Sequence, residues 1–113
     1  MNFLAAKALG GGRFNVAGVE MDLPVATPVE AGTTVKFGIR PEHLEAAEGI
    51  ALEITVDVVE QLGSASFVYG TTTSGEPIVA ERRLGQAQSD GRLRLQFRPS
   101  DARLFGSDGG RIR

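Results

Sequence analysis

A chain of 113 residues with no Cys and a formal net charge of −2 excludes a disulfide framework and a thiolate metal site. No apolar run approaches the roughly 20 residues of a membrane-spanning helix. The length fits one domain that buries roughly two thirds of its unfolded surface, and 15 Gly, about double the usual share, point to many short strands joined by tight turns.

Taken in order, Phe3 to Leu9 reads as a strand ended by Gly10-Gly11-Gly12. Phe14 to Ala17 and Val19 to Leu23 alternate apolar and polar residues around Gly18, as in a meander. Pro24 to Gly32, with Pro24, Pro28 and Gly32, is a loop or irregular edge.

Val35, Phe37 and Ile39 then alternate with Lys36, Gly38 and Arg40, the period of a strand with one buried face. Pro41 ends it, having no N–H for a ladder and keeping Arg40 out of the helical region. Pro41-Glu42-His43-Leu44 reads as one short helical turn. A near-copy, Leu93-Arg94-Leu95-Gln96-Phe97-Arg98-Pro99, ends in the same Arg-Pro corner and suggests two similar halves. Phe37, Ile39 and Leu95 are the expected core of this region.

Between the two, Glu45 to Gly49 is a polar bend and Ile50 to Leu62 the longest strand. Leu52, Ile54, Val56 and Val58 fall on one side, and Val59 breaks the phase, which predicts a bulge near Val58-Val59. A helix would group Ile54, Val58 and Leu62, but the β-branched content favours the strand. Gly63 marks a bend. Ser66 to Thr73 follows, with Phe67 and Tyr69 on one face, and pairs with Pro77 to Arg82 through Thr73-Ser74-Gly75-Glu76. Leu84 to Gly91 is a polar loop, Arg92 to Arg98 and Ala102 to Phe105 are strands, and a fraying tail starts at Ser107. About nine short strands and no long helix give an all-β architecture, best read as an oligonucleotide/oligosaccharide-binding (OB) type of barrel.

Chemistry is sparse. Glu42, His43 and Glu45 form the nearest thing to an acid–base cluster, but His43 is the single His and a solvent-facing imidazole in a polar corner is the better reading. No nucleophile-elbow pattern surrounds Ser64, Ser66 or Ser100. Gly10-Gly11-Gly12-Arg13 lacks the spaced glycines, Lys and Ser/Thr of a phosphate loop, and a strand follows it. Cross-half ion pairs among Arg40, Glu42, Arg98 and Asp101 compete with the simpler picture of solvated side chains, and Arg82-Arg83 reads as a soluble hairpin end rather than an anion site. Charges are interspersed and most Phe fall on the apolar side of strand patterns, which argues against nucleic acid.

The ordered motifs resemble one family. Gly38-Ile39-Arg40-Pro41-Glu42-His43-Leu44 is similar to the Gly-[Ile/Val]-Arg-Pro-Glu-His signature of the regulatory (transport-associated OB, TOBE) domain that follows the ATPase domain in ATP-binding subunits of bacterial ABC sugar importers of the maltose and glycerol-phosphate type. Met1-Asn2-Phe3-Leu4, Val58-Val59-Glu60-Gln61-Leu62-Gly63 with Val68-Tyr69-Gly70, and Phe97-Arg98-Pro99 through Leu104-Phe105 to Gly110-Arg111-Ile112 match further family segments in the same order. Gly106 departs from the Asp usual after that Phe.

The resemblance implies a non-catalytic regulatory and dimerisation domain, residues 1–113 being one domain of a longer protein. ATP and Mg would belong to the preceding ATPase domain, because no Gly-x-x-x-x-Gly-Lys-[Ser/Thr] occurs in this sequence. Implied partners are a second copy of the subunit, its own ATPase domain, the permease subunits indirectly and a regulatory protein in some members. The implied location is cytoplasmic, at the inner face of the membrane. Gly38, Arg40, Pro41, Glu42, His43, Leu62, Gly63, Tyr69, Arg98 and Pro99 are the signature residues expected to shape the corner between the halves. An oxyanion- or small-ligand-sensing barrel and a single-strand nucleic-acid barrel are the two competing expectations.

Overall fold

The computed structural model describes residues 1–25, 29–83, 91–106 and 109–112. Pro28, most of the Leu84 to Gly91 loop, and Ser107 and Asp108 of the expected tail lie outside them. The strands are β1 (Asn2–Gly10), β2 (Arg13–Val16), β3 (Val19–Asp22), β4 (Thr34–Ile39), β5 (Ile50–Leu62), β6 (Ala65–Thr72), β7 (Pro77–Arg83), β8 (Arg92–Phe97), β9 (Arg103–Phe105) and β10 (Arg111–Ile112). Two antiparallel sheets result, ordered β10-β9-β4-β1-β2-β3 and β7-β6-β5-β8. The all-β reading holds.

Alternation decides what faces inward. Leu4, Ala6 and Ala8 of β1, Val35, Phe37 and Ile39 of β4, and Leu93, Leu95 and Phe97 of β8 are all buried in one continuous core. The two near-repeat strands belong to different sheets and meet there. The Phe37 and Phe97 rings lie 5.5 Å apart, edge to face at 63°, a geometry that adds to the area both rings bury. Both strands end alike. Arg40 and Arg98 keep extended backbones (ψ 144° and 135°) before 3-10 turns over Pro41–His43 and Pro99–Asp101. In each turn the amides three positions after the Arg and after the Pro bond back in the same way: His43 N to Arg40 O at 3.0 Å and Leu44 N to Pro41 O at 3.3 Å, then Asp101 N to Arg98 O at 2.9 Å and Ala102 N to Pro99 O at 3.2 Å.

Three expectations need correction. The bulge in β5 sits at Asp57, where the pairing register skips between Val56 and Val58, so Val58 points outward. The chain at Arg111 and Ile112 does not fray: β10 pairs with β9, giving ten strands among the described residues rather than about nine. Phe67 and Tyr69 do share one face as expected, the outer one, because Ser66, Val68, Gly70 and Thr72 take the inward register. Of the six Phe, only Phe14, Phe37 and Phe97 are buried; Phe3 is exposed, and Phe67 and Phe105 are half-buried.

Candidate functional site

The signature residues fall into two groups, one at the Arg-Pro corners and one on the far hairpin. The corner group starts with Gly38, whose neighbours Phe37 and Ile39 turn into the core. A Cβ on Gly38 would stand 2.8 Å from Met1 Sδ, 3.1 Å from the Phe105 ring and 3.3 Å from the Phe3 ring. Gly here lets two aromatic rings close over the outside of β4. Phe3 and Phe105 meet above it edge to face, with centroids 5.8 Å apart.

After Pro41, Leu44 is fully buried and anchors the turn, which packs against β7. His43 is therefore half-buried rather than solvent-facing, and its Nδ1 is shut away with no hydrogen-bond partner among the described residues. Glu42 is exposed. Glu45 does not join His43 in an acid–base pair: its carboxylate accepts from the backbone N–H of Arg83 at 2.6 Å and lies 3.6 Å from the Arg83 guanidinium. Its backbone bridges to Gln96 of β8. The polar bend thus ties the ends of β7 and β8 to the first corner. Arg40, Glu42, Arg98 and Asp101 form no ion pair among the described residues, and Arg40 and Arg98 are exposed, as the solvated alternative has it.

The second group is elsewhere. Beyond the Asp57 bulge no residue up to Leu62 is fully buried, and this end of the β5–β6 hairpin carries Val58 (58% exposed), Leu62 (53%) and Tyr69 (38%). Leu62 and Gly63 form its tip rather than part of a corner. Tyr69 pairs across from Val58 and donates its hydroxyl to Glu60 at 3.3 Å. The Glu60 carboxylate beside it, followed by burial and by that hydrogen bond, raises the Tyr69 pKa above its usual 10.0.

A residue that sequence reasoning placed outside the first strand closes the body. Asn2 is buried, and its side chain bonds the backbone of Val79 on β7 twice, Nδ2 donating to Val79 O at 2.7 Å and Oδ1 accepting from Val79 N at 2.8 Å. Nδ2 also reaches Ile39 O at 3.3 Å. Glu76 accepts from the Ala5 N–H at 2.9 Å, and Thr73 donates to Ala17 O at 2.8 Å. These bonds join the six-stranded sheet to the four-stranded one. The available signal was register: counted back from Leu4, Ala6 and Ala8, Asn2 falls on the inward face.

The nucleophile and phosphate readings find no geometry here. Ser66 is buried with its Oγ unpartnered among the described residues. Gly10, Gly11 and Gly12, all at positive φ, turn β1 into β2 as a plain hairpin. Among the described residues, no three or more His, Cys, Asp or Glu are grouped to hold a metal, and no helix is long and apolar enough to cross a membrane.

Residues 37–105 match the family described as the TOBE domain, and residues 1–44 match the MalK OB fold domain. The chain is 37% identical over its whole length to the lactose transport ATP-binding protein LacK of Rhizobium radiobacter, covering 34% of that protein. It is 40% identical over 80% of its length to the sn-glycerol-3-phosphate import ATP-binding protein UgpC of Chromobacterium violaceum, covering 25% of that protein. With UgpC of Cereibacter sphaeroides it shares 38% identity over 98% of its length and 31% of the relative's. The chain thus spans about a third or less of the relatives it matches. With two curled sheets closed by Asn2, paired Arg-Pro corners and a family match covering both corners, the chain belongs to the TOBE domain family, and its first strands are similar to the MalK OB fold domain.

Proposed function

We propose that this chain is the non-catalytic regulatory and dimerisation domain of the ATP-binding protein of an ABC-type sugar importer. The observation that carries the reading is the TOBE match over residues 37–105 together with full-length similarity to a lactose transport ATP-binding protein. Residues 1–113 act as one domain of a longer protein, whose nucleotide chemistry lies outside this sequence. Its partners are a second copy, the ATP-binding portion of its own subunit and, through that, the membrane permease; its place is the cytoplasmic face of the membrane.

The body supports a contact role physically. Its core is filled by large side chains, yet Met1, Phe3, Val58, Leu62 and Tyr69 stay exposed. Apolar groups grouped at a surface mark places where another surface binds. In this reading the signature corner (Gly38, Arg40, Pro41, Glu42, His43, Arg98 and Pro99) sets the angle between the sheets, and the hairpin tip (Leu62, Gly63, Tyr69) makes contact.

Sedimentation velocity over a concentration series tests the reading. A reversible pair is expected, with no ATP hydrolysis by the chain and no calorimetric heat with sugars or oxyanions. A monomer at every concentration that binds an oxyanion stoichiometrically would replace it with the ligand-sensing alternative.

A further inference from the structure

The outer face of the six-stranded sheet is unevenly charged. Strand alternation points Phe3 and Lys7 of β1, Lys36 of β4, Arg103 and Phe105 of β9 and Arg111 of β10 away from the core. Register brings them together: Lys36 pairs between Ala5 and Phe105, Phe105 pairs with Arg111, and Gly38 sits between Phe3 and Arg103.

None of these four cations has a carboxylate partner among the described residues. Arg103 gives its guanidinium to the carbonyls of Ser100 and Ala102. Glu76 borders the same face as its one nearby carboxylate among the groove-lining residues, held by the Ala5 N–H and the Ser74 hydroxyl. At the other end of the sheet, by contrast, Arg13 is flanked by Glu20 and Asp22. Four cations without a salt-bridge partner among the described residues, on one face of a chain of net charge −2, is a segregation that composition does not require. Beside Lys36 runs an open groove of about 810 Å³, lined among others by Phe3, Lys36, Phe105 and, on its border, Glu76.

We propose that this face docks an acidic, partly apolar surface of a protein partner. Phe3, 52% exposed, and Phe105 are the apolar anchors, and Lys7, Lys36, Arg103 and Arg111 form the cationic rim. Aromatic anchors within a polar, charged rim are the usual anatomy of a protein interface, and rim charges steer the encounter and set its salt dependence. A single-stranded nucleic acid fits less well. It needs open ring faces for base stacking, whereas Phe3 and Phe105 pack edge to face and the Lys36 ammonium sits 5.6 Å from the Phe3 centroid. The inference deepens the regulatory part of the proposed function and rests on it.

The test uses the whole 113-residue chain, isotope-labelled, with amide shifts followed by NMR. Probes are a synthetic peptide alternating Glu and Leu, an oligodeoxythymidine, and vesicles containing phosphatidylglycerol. Saturable shifts with the peptide are expected along residues 3–7, 34–38 and 103–112, weakening about tenfold from low to physiological salt as the charges are screened. Phe3→Ser and Lys36→Glu should each weaken binding about fivefold or more; Lys36→Glu should leave the melting midpoint and self-association unchanged, and it is the deciding variant because Phe3→Ser also removes the ring packing on Phe105. No shifts on this face, or tighter binding of the oligonucleotide or the vesicles than of the peptide, overturns the proposal. If the chain self-associates yet the peptide leaves this face untouched, docking fails and the dimerisation reading stands. If the peptide binds this face as expected while the chain stays monomeric, docking survives and dimerisation fails.

Discussion

Asn2 and Val79 are 77 positions apart, yet the side-chain amide of one copies the backbone pairing of a strand onto the other at 2.7 and 2.8 Å. This pair lets β1 serve both sheets, since β1 pairs with β2 only from Ala6 onward and its earlier residues face β7. Asn2→Ala removes both bonds and leaves the buried part of the Val79 backbone unpaired. A loss of about 1–3 kcal/mol is expected, read from the urea midpoint. Asn2→Asp keeps an acceptor but loses the donor to Val79 O, and should be no better.

Two glycines without positive φ distinguish rigid from yielding surroundings. A Cβ on Gly70 would lie 2.6 Å from the Thr55 carbonyl oxygen and 2.7 Å from Ile54 Cδ1, beside the Asp57 bulge. Backbone cannot give way there, so Gly70→Ala should cost about 2 kcal/mol or more. At Gly38 the nearest atom is the end of the exposed Met1 side chain, which can swing aside. Gly38→Ala should therefore cost less in stability, while parting the Phe3 and Phe105 rings; the ring-current shifts of both in NMR spectra would report it.

At the first corner, Leu44 is fully buried and holds the 3-10 turn down. Leu44→Ala is expected to cost about 2–5 kcal/mol, the range for emptying a packed leucine site. Pro41→Ala should lose more than about 1 kcal/mol, beyond the unfolded-state entropy of a proline in a plain loop. Denaturant melts check both; a Pro41→Ala loss of a few tenths would reduce the corner to a tolerant loop.

Tyr69 is the only Tyr, so its ionisation can be followed directly by absorbance at high pH. Its pKa should lie above 10.0, and Glu60→Gln should lower it, because the Glu60 charge is the leading cause. The sign for stability follows. A folded pKa above the unfolded one means the native state holds its proton longer, so this contribution is present below pH 10.0 and is lost as pH rises through the folded value. Glu60→Gln should flatten that alkaline loss.

Much of the fold can be read from the residues because alternation is a local property. The period-two patterns of Val35 to Ile39 and Leu93 to Phe97 marked core strands, and Arg-Pro marked where each ends, since proline restricts its own φ and its neighbour's region wherever it stands. Phase was harder. The bulge at Asp57 rather than Val58-Val59 depends on how β5 pairs with β6, and pairing partners are not written in one strand.

By itself, the amino-acid order determined an all-β chain with two matching corners, no thiol chemistry and the family its motifs resemble. Only tertiary structure decided which sides of these strands see water. It turned Phe3 and Phe105 outward among four cations, set Leu62 and Tyr69 on an exposed hairpin end, and buried Asn2 as the tie between the sheets. The physical reason is distance along the chain: the bonds that close this body join residues such as Asn2 and Val79, and each partner's local sequence is compatible with many others until the sheets have curled together.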